Sequence, residues 1–417
     1  MMKRVRMLRT RTNKNRRNTK MNKWITSLFA VALTGSVAFA DVAAPAIAAK
    51  DLEKVVDEAI YVETATKGVV LSGYVDAGYI YNFQAAAFGR TTADNQARGD
   101  FSLNAFKLTL QKALSDKNEF QAGFRADVKI GEDATNLTAT GAGSSDTLSL
   151  DQAYVIVRAP IGNGLDITVG KFAALLGYEV DDRPANLNIT HGYDYVFQSS
   201  HQTGVKFFYP VNDIIELQLA VTNGSGIDTN SGSLATSNLT DTNTDGYAVN
   251  ATINIKAPGG NANWFNGVYA SNGVADGFTN DESAFQWNSW GNWAPKFAND
   301  KLLLGFSTTL GDSARSEVGT ENGYTYFTGS LYAKYQFTQI FSLAGRGSYL
   351  HSIDGAPLAV PSALNGDAYS FTLTAGFNLL ENLLVRAEYR ADIVDGAAGD
   401  ENSDIANTIA VQAVYTF

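Results

Sequence analysis

From residue 69 onward the chain alternates between apolar and polar positions with a period of two. In residues 119–130, Phe120, Ala122, Phe124, Ala126, Val128 and Ile130 share one face. Glu119, Gln121, Gly123, Arg125, Asp127 and Lys129 share the other. Successive side chains of a strand point to opposite sides, so this pattern predicts a strand with one apolar and one charged face. Residues 69–83 repeat it, with Leu71, Val75, Tyr79 and Tyr81 against Ser72, Tyr74, Asp76 and Asn82. In residues 100–114 the alternation slips near Phe106, as one inserted residue would make it do. The last segment, 405–417, places Ile409, Val411, Ala413, Tyr415 and Phe417 on one face and ends on a ring. Termini usually fray. A final strand that runs to the last residue suits a closed barrel, where it must pair with the first.

About sixteen such segments are predicted, within a range of 14–18: 69–83, 100–114, 119–130, 148–159, 165–172, 201–209, 214–222, 246–256, 264–271, 284–294, 301–310, 324–337, 340–350, 368–379, 383–392 and 405–417. The connections alternate strictly between short and long. That asymmetry is required of an all-β, antiparallel up-and-down transmembrane barrel with short periplasmic turns and long extracellular loops. A Greek-key sandwich has no reason to produce it. A barrel of this size leaves an aqueous interior, whereas about eight strands would fill their own.

The first 40 residues carry ten Lys or Arg and no acid, followed by an apolar run from Trp24 that ends Ala38-Phe39-Ala40. This predicts a signal peptide over residues 1–40. Translation could start at Met1 or at Met21. Residues 41–67 form a lead segment, and the barrel takes 68–417. Removing ten of 32 basic residues leaves 22 against 42 acids, a net charge near −20. So acidic a chain argues against nucleic-acid partners. There is no Cys and there are only three His, so thiolate metal sites are excluded and imidazole chemistry is poorly supplied. No cofactor and no metal site is expected. Asp241, Asn243, Asp245 and Gly246 have the spacing that opens a calcium loop, but Thr252 stands where its bidentate Glu would be. A hydrolytic barrel would need a nucleophile beside a base. His191 and His201 share a loop with Ser199 and Ser200, but no nucleophile motif surrounds them.

The connection 173–200 is unlike the other long ones. It carries Leu175, Leu176, Tyr178, Tyr193, Tyr195, Val196 and Phe197, more apolar surface than a loop in open water needs. It is therefore expected to fold into the barrel, placing Glu179, Asp181, Asp182 and Arg183 at a constriction. An extracellular cap over the mouth is the other reading. Alternation also assigns lumen-facing charges: Arg125, Lys129, Lys171, Lys206, Arg346, Arg386, Glu388 and Arg390, with Asp76, Asp127, Glu216 and Asp392. Arg386, Glu388, Arg390 and Asp392 form a ladder of period two. Charge on a lipid-facing position costs about 2–4 kcal/mol at the midplane for Arg or Lys, so the ladder should face water. Its bases are expected to oppose the acids of the inward loop and set a transverse field.

The stretches ITVGKFAALLGYE (167–179), LSGYVDAGYIYNF (71–83) and VQAVYTF (411–417) resemble the OmpL-like β-barrel porins of the porin 2 family over nearly all of the mature chain. The resemblance implies passive diffusion of small hydrophilic solutes through a water-filled outer-membrane channel. In general porins the third long loop enters the lumen, and 173–200 is the third here. A homotrimer is plausible on the same basis. Tyr415 and Phe417 are the expected insertion signal for the outer-membrane assembly machinery, after export through the periplasm. A blocked structural or adhesin barrel is the alternative.

Overall fold

The computed structural model describes residues 68–83, 99–136, 148–223, 247–272, 284–299, 301–313, 324–356, 364–394 and 404–417. The segments expected as signal peptide (1–40) and lead segment (41–67), and residues 241–246, lie outside the described residues. Sixteen strands form one antiparallel closed barrel. They are β1 (Val70–Asn82), β2 (Asp100–Lys112), β3 (Gln121–Ile130), β4 (Leu148–Ala159), β5 (Leu165–Ala173), β6 (His201–Pro210), β7 (Ile215–Asn223) and β8 (Tyr247–Lys256). Then come β9 (Ala262–Asn272), β10 (Ala284–Trp293), β11 (Leu302–Ser313), β12 (Tyr324–Gln336), β13 (Phe341–Ala356), β14 (Leu364–Leu380), β15 (Leu383–Val394) and β16 (Asp404–Thr416). Each strand pairs with its sequence neighbours, and β16 closes on β1 from Tyr74↔Thr416 to Asn82↔Thr408. Phe417 and Gly73 exchange backbone hydrogen bonds of 3.0 Å in both directions, so the last residue completes the seam. Closure leaves no edge with unpaired backbone groups, the condition for crossing a bilayer with strands.

The outer surface is apolar. Leu331, Phe371, Leu373, Val155, Val169 and Val411 all project outward from the wall. Exposed aromatics gather near both strand ends. Phe120, Trp264, Trp293, Phe297, Phe337 and Tyr415 lie near the short turns, and Phe101, Tyr247, Phe285, Phe327 and Tyr369 near the long loops. Two aromatic girdles flanking an apolar band are what a barrel shows at the two membrane interfaces. The opposite faces are polar and buried, with Arg125, Lys129, Asp127, Arg346, Arg390 and Asp392 turned inward.

Among the register shifts of the described strands, those in β2 and β4 reset the alternation beside the loop. Asp76 pairs Ala105 and Ala77 pairs Leu103, so Asn104 is the extra residue of β2, close to where the pattern slips. Asp127 pairs Gln152 and Val128 pairs Leu150, which makes Asp151 the extra residue of β4. At each bulge two successive residues face inward, and Asn104, Ala105, Asp151 and Gln152 are all buried. β13 and β14 run beyond the expected limits of 350 and 368. The added pairs include His351↔Asp367 and Ser352↔Gly366, polar positions that period-two hydropathy cannot detect. Beyond the lipid, a strand pair needs no apolar face.

Candidate functional site

The loop of residues 174–200 leaves β5 and returns to β6. Its neck is tied by the Ala174 amide donating to the Ser200 carbonyl at 3.0 Å. Inside the barrel it carries a 3-10 turn (Arg183–Ala185) and a short helix, α2 (Tyr193–Val196); α1 (Glu132–Asn136) follows β3. The apolar content of the loop explains its inward path. Phe172, Tyr193 and Phe197 are almost completely buried, with Leu175 and Leu176 beside them. Phe197 stacks on Tyr326 of β12 at 4.1 Å between ring centres. Tyr178 packs between Trp290 of β10 and Tyr332 of β12. These contacts set the loop against side chains of β10 and β12. Gly177 makes the tight exit possible, since its φ is +117° and a Cβ there would meet the Gln198 amide at 2.1 Å.

The four loop residues expected at a constriction all lie in the lumen, and each meets an opposite charge on the wall. Glu179 accepts from the Arg346 guanidinium at 2.6 Å and from the Gly192 amide at 2.5 Å. Asp181 pairs with Lys129 of β3. Asp182 accepts from Lys107 of β2 at 2.6 Å and from the Tyr74 hydroxyl of β1 at 2.9 Å. Arg183 donates to Asp133 of α1 at 2.7 Å. The two lysines also reach Asp127 (3.1 Å, from Lys107) and Asp151 (2.9 Å, from Lys129). Asp151, Asp181 and His201 come within 4.8 Å of one another, but Lys129 already occupies the space between the two carboxylates.

Burial by itself would push the Asp182 carboxyl up, but the Lys107 and Lys129 ammoniums outweigh it and hold it well below the usual range. A carboxyl depressed on folding stabilises the folded form above its ordinary pKa of about 4 and loses that contribution as pH falls below it. Acidification from pH near 5 downward is therefore expected to loosen this end of the loop. Single-channel recordings should then show rising conductance or flicker, and Asp182→Asn should remove much of that dependence.

The ladder on β15 does something the alternation did not reveal. Arg386 donates to three loop carbonyls, Arg183 (2.9 Å), Asn186 (2.7 Å) and Asn188 (3.3 Å), and to Gln412 of β16 (2.7 Å). Arg390 donates to the His191 carbonyl at 2.5 Å and pairs with Asp392 at 2.8 Å. Glu388 accepts from the Ile189 amide (2.5 Å), the Thr190 amide (3.0 Å) and the Thr190 hydroxyl (2.6 Å). Arg346 adds a bond to the Thr190 carbonyl at 2.6 Å. These side chains grip loop backbone, while the adjacent acids Asp181 and Asp182 are met by lysines of β2 and β3. Among the other expected lining residues, Arg125 pairs with Asp127 (2.9 Å), Lys171 is buried, and Lys206 lies 4.9 Å from the Phe172 ring centre. Glu216 pairs with Lys256. Asp76 accepts from Asn104 at 2.9 Å and from Gln412 at 2.6 Å.

Lys107, Asp133, Asp151 and Asp194 belong to this arrangement and were not singled out from the sequence. Lys107 follows the β2 bulge and Asp151 sits in the β4 bulge, where a fixed period of two assigns the wrong face. Asp133 stands in a helical turn with no periodic signal. Asp194 lies in the loop, where only the fold tells inside from outside.

Among solved structures, the outer membrane channel DcaP of Acinetobacter baumannii is similar at TM-score 0.59 and 14% identity, with 86% of this chain and 100% of that chain covered. Pseudomonas putida OprB is similar at 0.58 and 12%, covering 88% and 96%. An anion-selective porin from Comamonas acidovorans is similar at 0.55 and 12%, covering 84% and 99%. At such identities the likeness is one of fold. A comparison with curated proteins finds no match. Residues 68–417, the whole barrel, match the family model described as "Putative beta-barrel porin-2, OmpL-like". This chain, a sixteen-stranded barrel with a loop anchored across its lumen, is therefore a member of that porin family of the bacterial outer membrane.

Proposed function

We propose that the 174–200 loop sets the width and the ion preference of this porin's channel, with Glu179, Asp181, Asp182 and Arg183 at its constriction. The observation that carries this reading is the pairing of all four with wall residues of opposite sign, at β13, β3, β2 and α1. Paired charges largely cancel beyond a few ångströms, so the constriction exerts little net field on a passing ion. The channel then passes small hydrophilic solutes by size, with similar permeability for small cations and anions. In this reading β15 acts as a clamp that keeps the loop in place. Tyr415 and Phe417, at the seam of β1 and β16, serve as the signal read by the assembly machinery after export. The barrels associate as trimers through their apolar outer walls.

Liposome swelling with neutral and charged solutes of graded size tests the reading. Small sugars should enter, with rates falling as size increases and little difference between charged solutes of equal size. No swelling with any solute would mean a blocked barrel, which the close packing of Tyr193 and Phe197 against the wall would then explain. A strong preference for one sign of charge would remove the cancellation argument.

A further inference from the structure

The β15 clamp holds residues 183–191 of the loop. Asp194, the second residue of α2, lies beyond its reach. Its side chain is 1% exposed, and neither carboxylate oxygen has a hydrogen-bond partner. Ser307 of β11 and Thr328 and Ser330 of β12 surround it closely enough to interact, but none meets it in hydrogen-bond geometry. The hydroxyls of Ser307 and Thr328 are buried without partners as well. Ser330 directs its proton to Ser348 of β13, at 2.9 Å, and keeps its oxygen lone pairs. Among the described residues no Lys, Arg or His comes within ion-pair distance of Asp194. Arg346 directs its terminal nitrogens to Glu179, Thr190 and Thr372, and its buried Nε, which has no partner, forms no ion pair with Asp194; Glu179 is itself negative.

An ionised carboxylate in a dry pocket must be paired with a positive charge. A side chain could supply that charge, and here none does. A proton can also neutralise the carboxyl, whose O–H and C=O would then bond the hydroxyls of Ser307 and Thr328, and alkaline pH disfavours that state. A metal cation would engage all of these oxygens together. The donors are hard oxygens only, which excludes the metals that select thiolate or imidazole. One carboxylate supplies a single negative charge, whereas calcium sites gather several carboxylates and carbonyls. We propose that Asp194, Ser307, Thr328 and Ser330 form a binding site for an alkali-metal cation, Na⁺ or K⁺, between the loop helix and the β11–β12 wall. The cation anchors the end of the loop that the arginines do not reach. The site does not depend on which solutes cross the channel.

The test is the unfolding temperature of the full folded protein in neutral detergent, at mildly alkaline pH, in NaCl, KCl or choline chloride at equal concentration. A ligand that binds only the folded state raises that temperature by mass action. Na⁺ or K⁺ is expected to raise it by about 2–4 °C over choline in the native protein. The rise should vanish in Asp194→Asn and in the double variant Ser307→Ala, Thr328→Val, which keeps the carboxylate and removes two oxygens. The double variant decides the matter should Asp194→Asn fold poorly. No rise in the native protein, or an equal rise in the double variant, would overturn the site. A rise with millimolar Ca²⁺ but not with Na⁺ or K⁺ would overturn its assignment to a monovalent ion.

Discussion

Glu388→Ala should open the channel. Its carboxylate accepts from two loop amides, the Thr190 hydroxyl and the Thr374 hydroxyl at 2.7 Å, all buried. Truncation leaves two buried N–H groups without acceptors, each worth about 1–3 kcal/mol. It also leaves Arg386 and Arg390 flanking an empty position on the strand. The loop should therefore detach from β15, with a loss of about 2–5 kcal/mol in stability. Glu388→Gln keeps an acceptor oxygen and should lie between the variant and the native protein. In planar bilayers the Ala variant should show a larger and noisier single-channel conductance. Reversing Arg386 and Arg390 to Glu should act in the same direction, because both grip loop carbonyls. A changed cation/anion ratio at unchanged conductance in that double variant would mean that the ladder works through its field and not as a clamp.

Leu373→Arg should impair insertion into lipid. Leu373 lies in the middle of β14, opposite Gly345 and Tyr389, and faces outward at 51% exposure. A guanidinium near the bilayer midplane costs about 2–4 kcal/mol, less toward the interfaces. The folded fraction in vesicles, read from heat-modifiable gel migration across a urea series, should move to lower urea by a matching amount. Leu373→Ala controls for the lost side chain, since it removes apolar surface and adds no charge. Equal midpoints for the two variants would mean that this wall does not contact lipid.

Most of the barrel was legible because a strand in a membrane obeys two solvents at once. One face must suit lipid and the other water, so each segment writes its orientation into alternate residues. Arg125, Lys129, Arg346, Arg386, Glu388 and Arg390 were placed inward by that rule alone, and they are inward and buried. The rule fails where the period breaks. Asp151 sits in a bulge and Lys107 follows one, and each contributes to the charge cluster that receives the loop acids. The excess of aromatic and aliphatic residues in 173–200 was enough to expect a loop turned inward, since water would not tolerate them.

The strand set, the barrel class and the face on which each charge of a regular strand lies all follow from a local period of two in the chain. Which charges meet is settled by the folded barrel. Asp182 and Lys107 are 75 residues apart, and Glu388 is nearly 200 from the amides it holds. Those meetings depend on the route of one irregular loop across a lumen. No periodicity governs such a route, because it is settled by where rings such as Phe197 and Tyr193 find room against the wall.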